Sequence, residues 1–269
     1  MAAARRLRWT AAVAAATAMA LGGCGDDGGS AGGDGGTPPA RADGTAALER
    51  AVGVMQRKGT AEFTQTYTSD GVPSGQDGIE AQGAGTLDFR RSRARYRIHY
   101  SETPGVTGGT TVDLVEEGAT TYARDEQGRY LRLEDEPSPV ANATADVFKY
   151  LASDTIGVHE TGTRRVGGRA CTRYEGKLDF ARIRARTPAA RRAEFDRESG
   201  GIKTQDFSVC IDTGDVVREY VAEVRVPGGG DFVVRVTTRF ARVGSVEPLR
   251  ALTTGEKAPS PTGRPAATG

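Results

Sequence analysis

The sequence predicts an α+β domain, a single curved antiparallel sheet (a half-barrel) wrapped over a few helices. Three observations lead there. Apolar residues recur with period two in one run after another, short glycine-bearing connections separate those runs, and only a few stretches carry the helical period. Short connections make neighbouring strands antiparallel. Apolar residues confined to one face of each strand call for helices to cover that face.

Residues 45–58 read as a helix, with Ala47, Ala51, Val54 and Met55 on one face, Asp43 or Thr45 as cap and Gly59 as stop. At 61–68 the period changes to two: Ala61, Phe63 and Tyr67 share one side, Glu62, Thr64 and Thr66 the other. Residues 71–85, rich in glycine, read as a loop. The strand signal of 84–100 has two phases. Leu87 and Phe89 share a face; after a bulge or turn near 90–92, Ala94, Tyr96, Ile98 and Tyr100 take over, and Arg91, Arg93, Arg95, Arg97 and His99 point the other way.

Further strands are expected at 111–116, 120–124 and 130–133, and a helix at 143–153 with Val147, Phe148 and Leu151 on one face. The stretch holding Gly157 and His159 reads as a loop. Thr187-Pro188 reads as an N-cap and first-turn proline opening a polar helix to about residue 198, between strands at 169–179 and 206–212. A last hairpin pairs 216–226 with 232–243 across 227–230. In it Tyr220, Ala222, Val224 and Val226 share a face, as do Phe232, Val234, Val236 and Phe240.

The start of the chain is of another kind. Arg5, Arg6 and Arg8 precede an apolar stretch of about a dozen residues, too short to span a bilayer and suited to a signal peptide. Leu21-Gly22-Gly23-Cys24 resembles the bacterial lipobox. That resemblance implies removal of residues 1–23, acylation of Cys24, and anchorage to the outer face of the cell membrane. Residues 24–42 then read as a flexible tether, 43–252 as the domain and 253–269 as a disordered tail. No later apolar run reaches the roughly 20 residues of a membrane-spanning helix.

Without residues 1–23 the chain holds 33 basic and 35 acidic residues, a balance that argues against a nucleic-acid binder. The preference for arginine over lysine, with abundant alanine and glycine, resembles the codon bias of a GC-rich actinobacterium. Cys171 and Cys210 lie in strand-like segments; an exported setting permits a disulfide joining neighbouring strands, and two free thiols are the alternative.

Catalytic patterns are missing. His99 and His159 stand apart, with no Cys/His cluster at metal-ligand spacing. There is no Gly-x-Ser-x-Gly elbow, and the glycine clusters precede strands as turns do. The carboxylates are scattered beside turns, so no catalytic residue, metal or cofactor is expected. The row Arg91, Arg93, Arg95, Arg97 sets guanidinium groups about 7 Å apart along one strand face. It reads as a solvated face paired with acids on the next strand, or as a surface for anionic headgroups or a partner.

Several motifs occur in a telling order: Gly59-Thr60-Ala61-Glu62-Phe63, Gly85-Thr86-Leu87-Asp88-Phe89, Gly118-Ala119-Thr120-Thr121-Tyr122, residues 166–174 around Cys171, and Val209-Cys210-Ile211-Asp212-Thr213-Gly214. With the lipobox, this order resembles the LppX/LprG-type lipoproteins of actinobacteria, relatives of LolA-like and RseB-like folds. The resemblance implies a non-catalytic lipoprotein that binds, carries or presents an acylated envelope lipid or glycolipid in an apolar cavity. The expected wall is Phe63, Tyr67, Leu87, Phe89, Tyr96, Ile98, Tyr100, Leu114, Tyr122, Val224, Phe232, Val234 and Val236. Ala61, Gln65, Thr120, Ala222 and Thr238 are expected on the same inward face, which points to a smaller cavity or a closed core. The alternative is an RseB-like sensor or interaction module that binds an envelope protein.

Overall fold

Local chemistry sets the first elements. The computed structural model describes residues 44–70, 80–101, 109–118, 120–133, 147–199, 202–225 and 233–257. Helix α1 (Gly44–Lys58) buries the stripe Ala47, Leu48, Ala51, Val52 and Met55. It ends at Gly59, whose φ of +87° suits glycine and whose N–H bonds back to the Met55 carbonyl.

Strand β1 (Thr60–Asp70) follows at once, then β2 (Ala81–Asp88), β3 (Arg93–Tyr100), β4 (Thr110–Glu117), β5 (Thr120–Arg124) and β6 (Tyr130–Arg132). A short helix α2 (Val147–Leu151) leads to β7 (Thr155–Val166) and β8 (Arg169–Asp179). Next come α3 (Phe180–Arg186), α4 (Arg192–Ser199), β9 (Thr204–Asp212), β10 (Val217–Arg225) and β11 (Val233–Ala241).

All eleven strands form one antiparallel sheet in the order β6-β5-β4-β3-β2-β1-β11-β10-β9-β8-β7. Two meanders are thus joined along β1 and β11, in register from Glu62 opposite Ala241 to Asp70 opposite Val233. The end strands β6 and β7 do not pair with each other, so the sheet stays open as a half-barrel.

The core lies on the concave face. Leu48, Val52 and Met55 of α1 and Phe148 and Leu151 of α2 pack there against Phe63, Leu87, Ile98, Val209, Tyr220 and Val236. Phe89, Phe148 and Phe240 close one end as a cluster of tilted and edge-on rings with centroids 5.1–6.2 Å apart. In the row Phe63–Gly85–Tyr96, the missing side chain of Gly85 lets the flanking rings meet across it at 5.8 Å.

The Cys171–Cys210 disulfide joins β8 to β9, with Cα atoms 5.4 Å apart. The two cysteines and Val166 form a small apolar cluster separate from the main core.

Four local expectations are corrected. Strand β2 begins at Ala81, inside the stretch expected to be a loop. His159 lies in a strand: β7 is a twelve-residue edge whose pairing with β8 slips at Ile156/His159 and at Glu160/Gly162, which breaks the alternation a sequence reading needs. Thr187 ends a helix instead of starting one. Asp179 caps α3 by accepting from the N–H groups of Ala181 and Arg182, and the Thr187 hydroxyl donates to the Ile183 carbonyl at 2.9 Å. Residues 253–257 belong to the folded part: Tyr130 N–H donates to the Glu256 carbonyl at 2.8 Å, and Lys257 pairs with Glu117 at 3.1 Å.

The Glu256 carboxylate is pulled down to about 2 by Arg250, helped by the backbone and hydroxyl of Thr253. The charged form is therefore favoured in the fold, and its turn-locking effect is complete above the ordinary glutamate range and lost as pH falls through about 2. The Thr253 amide resonance is expected to titrate near that lower value; a midpoint in the ordinary range would show that the turn is not locked this way.

Two substitutions probe the frame. Gly85→Ala places a methyl against the Arg95 carbonyl and Tyr96 Cβ, and overpacking of this kind costs about 1–3 kcal/mol in urea unfolding. Replacing both Cys171 and Cys210 by alanine is expected to cost about 3–4 kcal/mol by the loop-entropy argument.

Candidate functional site

Register decides which predicted wall residues face inward. Phe63, Tyr67, Leu87, Phe89, Tyr96, Ile98, Leu114 and Val236 are buried in the concave core, and Tyr100 and Val234 are half-buried against it. Leu87 and Ile98 are 0% exposed, so the middle of the concave face is solid. Its filling is supplied by α1 and α2. Ala61, Gln65, Ala222 and Thr238 are inward and buried as expected.

Tyr122 and Thr120 are corrections. Tyr122 stands opposite Val115, and Val115's neighbours Leu114 and Glu116 point into the core, so Tyr122 faces the convex side. There Lys257 Nζ sits 5.0 Å from its ring centroid. Thr120, two residues away, shares that outward face. The Val224 side chain, Phe232 and Cys24 lie outside the described residues.

Cover thins over the wing β3–β6. On its concave side Tyr100, Val112, Ala123 and Leu133 are only half-buried, and Leu131, opposite Ala123, is 43% exposed. These residues form an apolar strip running from the closed core to the β6 edge. The connections β1–β2, β3–β4 and β10–β11 leave the sheet at the end where Tyr100 and Val234 lie.

A polar group sits inside this face. Tyr67 Oη donates to Gln65 Oε1 at 2.7 Å, and Gln65 Nε2 donates to Thr238 Oγ1 at 3.0 Å. Beside them Tyr96 Oη donates to the buried Glu116 carboxylate at 2.6 Å. Burial, then the Glu116 charge, pushes the Tyr67 and Tyr96 phenols well above their ordinary range; burial alone raises Tyr220. In the sequence Glu116 marks only the end of the strand expected at 111–116. The signal was its place in the alternation with Leu114, which puts an acid on the core face.

The arginine row divides. Arg91 is not in the strand: it lies in the β2–β3 turn, pairing with buried Asp88 at 2.9 Å. Arg93 donates to the Leu249 carbonyl at 3.1 Å, in the segment that crosses the convex face after β11. Arg97 grips Asp113 with two hydrogen bonds of 2.7 and 3.1 Å, which hold the Asp113 carboxyl below its ordinary range. Arg95 lines a shallow groove of about 310 Å³ with Arg97, Asp113, Arg124 and Tyr130.

Known protein-family models and characterised protein sequences give no match to this chain. Among solved structures it is similar to LprF from Mycobacterium bovis, at 11% identity and a TM-score of 0.47, over 77% of this chain and 96% of that one. It is similar to the Mycobacterium tuberculosis lipoprotein LppX at 12% identity and a TM-score of 0.47, over the same shares of the two chains. A LolA superfamily protein from Nitrosomonas europaea matches at 8% identity and a TM-score of 0.30, over 77% and 94%. These are the groups that the turn-and-strand motifs resemble.

Among the described residues no three His, Cys, Asp or Glu side chains gather as a metal site, and no helix is long and apolar enough to cross a membrane.

The buried phenols give the site a pH signature. Their neutral forms are favoured in the fold, so their contribution to stability is complete below about pH 10 and declines above it, where the unfolded chain ionises. Of the eight tyrosines, Tyr67, Tyr96 and Tyr220 are expected to stay silent in a phenolate absorbance titration until the chain unfolds in alkali. Tyr96→Phe removes a donor from a buried carboxylate and is expected to cost about 2 kcal/mol. A loss within error of zero would show that Glu116 does not depend on it.

Proposed function

We propose that this chain is an extracytoplasmic lipoprotein, anchored through Cys24, whose domain binds the acyl part of an envelope lipid or glycolipid and carries or presents it without catalysis. The observation that carries the reading is the half-covered apolar strip Tyr100, Val112, Ala123, Leu131 and Leu133 on the concave wing. Elsewhere the concave face is filled by the chain's own helices. Along this strip large apolar side chains keep accessible surface beside a closed core, where an acyl chain gains about 0.8 kcal/mol for each methylene it buries.

Organic extraction of protein purified from its native envelope is expected to release an acylated lipid, and a fluorescent fatty-acid probe to bind the delipidated protein. Val112→Asp and Leu131→Asp each place a charge in the strip and are expected to weaken the probe about tenfold or more, since burial of one such side chain is worth about 1.5–3 kcal/mol. Thr66→Asp, on the convex face, serves as control. No extracted lipid together with no probe binding would end the acyl reading.

The anchor is tested separately. Cys24→Ala is expected to abolish incorporation of labelled palmitate and to release the chain from the membrane fraction.

One observation favours the alternative, a module that binds an envelope protein. Edge strand β7 runs twelve residues and is exposed along most of its length, and such an edge can accept a strand from a partner. Crosslinking from β7 to a protein, with no lipid recovered, is the result that selects this second reading.

A further inference from the structure

The convex side of the same wing carries a basic surface that pairing does not explain. Opposed residues on neighbouring strands form two rows across it. One row runs Arg95, Val115, Tyr122, Arg132; the next runs Arg97, Asp113, Arg124, Tyr130. Strand spacings of about 4.8 Å and a repeat of about 7 Å along each strand put the four guanidinium groups in a patch about 14 Å across. Among the described residues a single carboxylate answers them. Asp113 takes Arg97 at 2.7 Å and Arg124 at 3.8 Å, and among the described residues Arg95 and Arg132 have no ion-pair partner.

Elsewhere on the outer face several arginines each have a carboxylate partner. Arg235 pairs with Glu223, Arg242 with Glu62 and Arg218 with Asp212, while Glu219 holds both Arg164 and Arg239. The patch is therefore a local excess on a chain whose overall charge is nearly balanced.

We infer that Arg95, Arg97, Arg124 and Arg132 form a docking surface for the phosphate headgroups of an anionic membrane. Three features select that occupant. Guanidinium forks match phosphate oxygens. The groove of about 310 Å³ is open and shallow, which suits an array of headgroups better than one enclosed ion. Tyr122 and Tyr130 stand among the arginines, and aromatic side chains with a polar tip favour the headgroup layer.

The patch is also held in place. The segment after β11 crosses the sheet next to it: the Leu252 N–H donates to Glu117 at 2.6 Å, and Lys257 lies over Tyr122. Glu256 receives the Tyr130 N–H, so the segment braces β6. The inference rests on the lipoprotein reading for its location, since an anchored chain meets this surface at high local concentration, but its chemistry is independent of acyl binding.

A chain of residues 38–269 keeps every residue of the described core and lacks the anchor cysteine, so it isolates the patch. It is expected to sediment with vesicles of phosphatidylglycerol and phosphatidylcholine, to ignore vesicles of phosphatidylcholine alone, and to lose binding as salt rises. Arg95→Ala and Arg132→Ala break no ion pair among the described residues. Each should weaken sedimentation about fivefold, the double variant about twenty-fivefold, by the worth of one arginine near an anionic surface. Arg235→Ala removes the same charge from a paired position on the same face and should change little.

Equal losses from Arg235→Ala and Arg95→Ala would overturn the inference, as would failure of the unsubstituted chain to bind anionic vesicles. Full displacement by inorganic phosphate at constant ionic strength would also overturn it, in favour of a small-anion pocket. Probe binding in the apolar strip is read separately with the same variants and is expected to be unchanged, so loss of one surface is distinguishable from loss of the other.

Discussion

The pairing of β1 with β11 is the constraint on which the rest of the structure depends. It joins a strand just after the first helix to the last strand of the chain, so that the Gln65–Thr238 hydrogen bond spans 173 residues of sequence. Without that seam there are two meanders, each with an apolar face and two edges. With it there is one sheet, a continuous concave face, and a place for α1 to bury Leu48 and Met55. Closing so long a loop is entropically costly and is rewarded only when the facing rows meet in register. A slip of one residue in β11 would turn Val236 and Phe240 out to solvent and bring Arg235 and Arg239 into the core.

The polar group in the core acts on the same register. Gln65 and Thr238 face each other across the seam, and Tyr67 completes the bonding of the Gln65 amide. A buried amide bonded on both ends tolerates few alternative pairings, because each alternative leaves a donor or an acceptor stranded at about 1–3 kcal/mol. Tyr96 and Glu116 do the same between β3 and β4. The small and polar residues that dilute the inward face thus mark where strands are pinned.

Much of this was legible in the sequence, and the failures have physical causes. The first helix, the long strands and the last hairpin were legible because each spans enough residues for its period to show. Strand β7 was not, because Gly157 and Gly162, at φ of +65° and +136°, accompany bulges that reset the alternation twice within twelve residues. Tyr122 was put on the wrong face because five residues alternate equally well either way, and only the pairing with Val115 decides. The alternation of Arg93, Arg95 and Arg97 was correct, but what stands across from each was hidden, and that separates a paired guanidinium from an unpaired one. The residues that join them from β5 and β6, Arg124 and Arg132, are neighbours only in the folded sheet.

Both candidate surfaces lie on one wing, and the strand period explains why. In β3, β5 and β6 inward residues alternate with outward residues of the basic patch: Tyr96 with Arg95 and Arg97, Ala123 with Tyr122 and Arg124, Leu131 with Tyr130 and Arg132. Helix α1 packs chiefly toward β7 and β10, so the far wing remains a single layer with an apolar side and a cationic side. A single sheet layer is only about as thick as the side chains it carries on each face, so an acyl chain on one side and headgroups on the other would be separated by little more than a backbone. The wing ends at the short edge strand β6. That edge is three residues long and braced by the segment ending at Lys257, whose bridge to Tyr130 makes the C-terminal crossing part of the wing's own architecture.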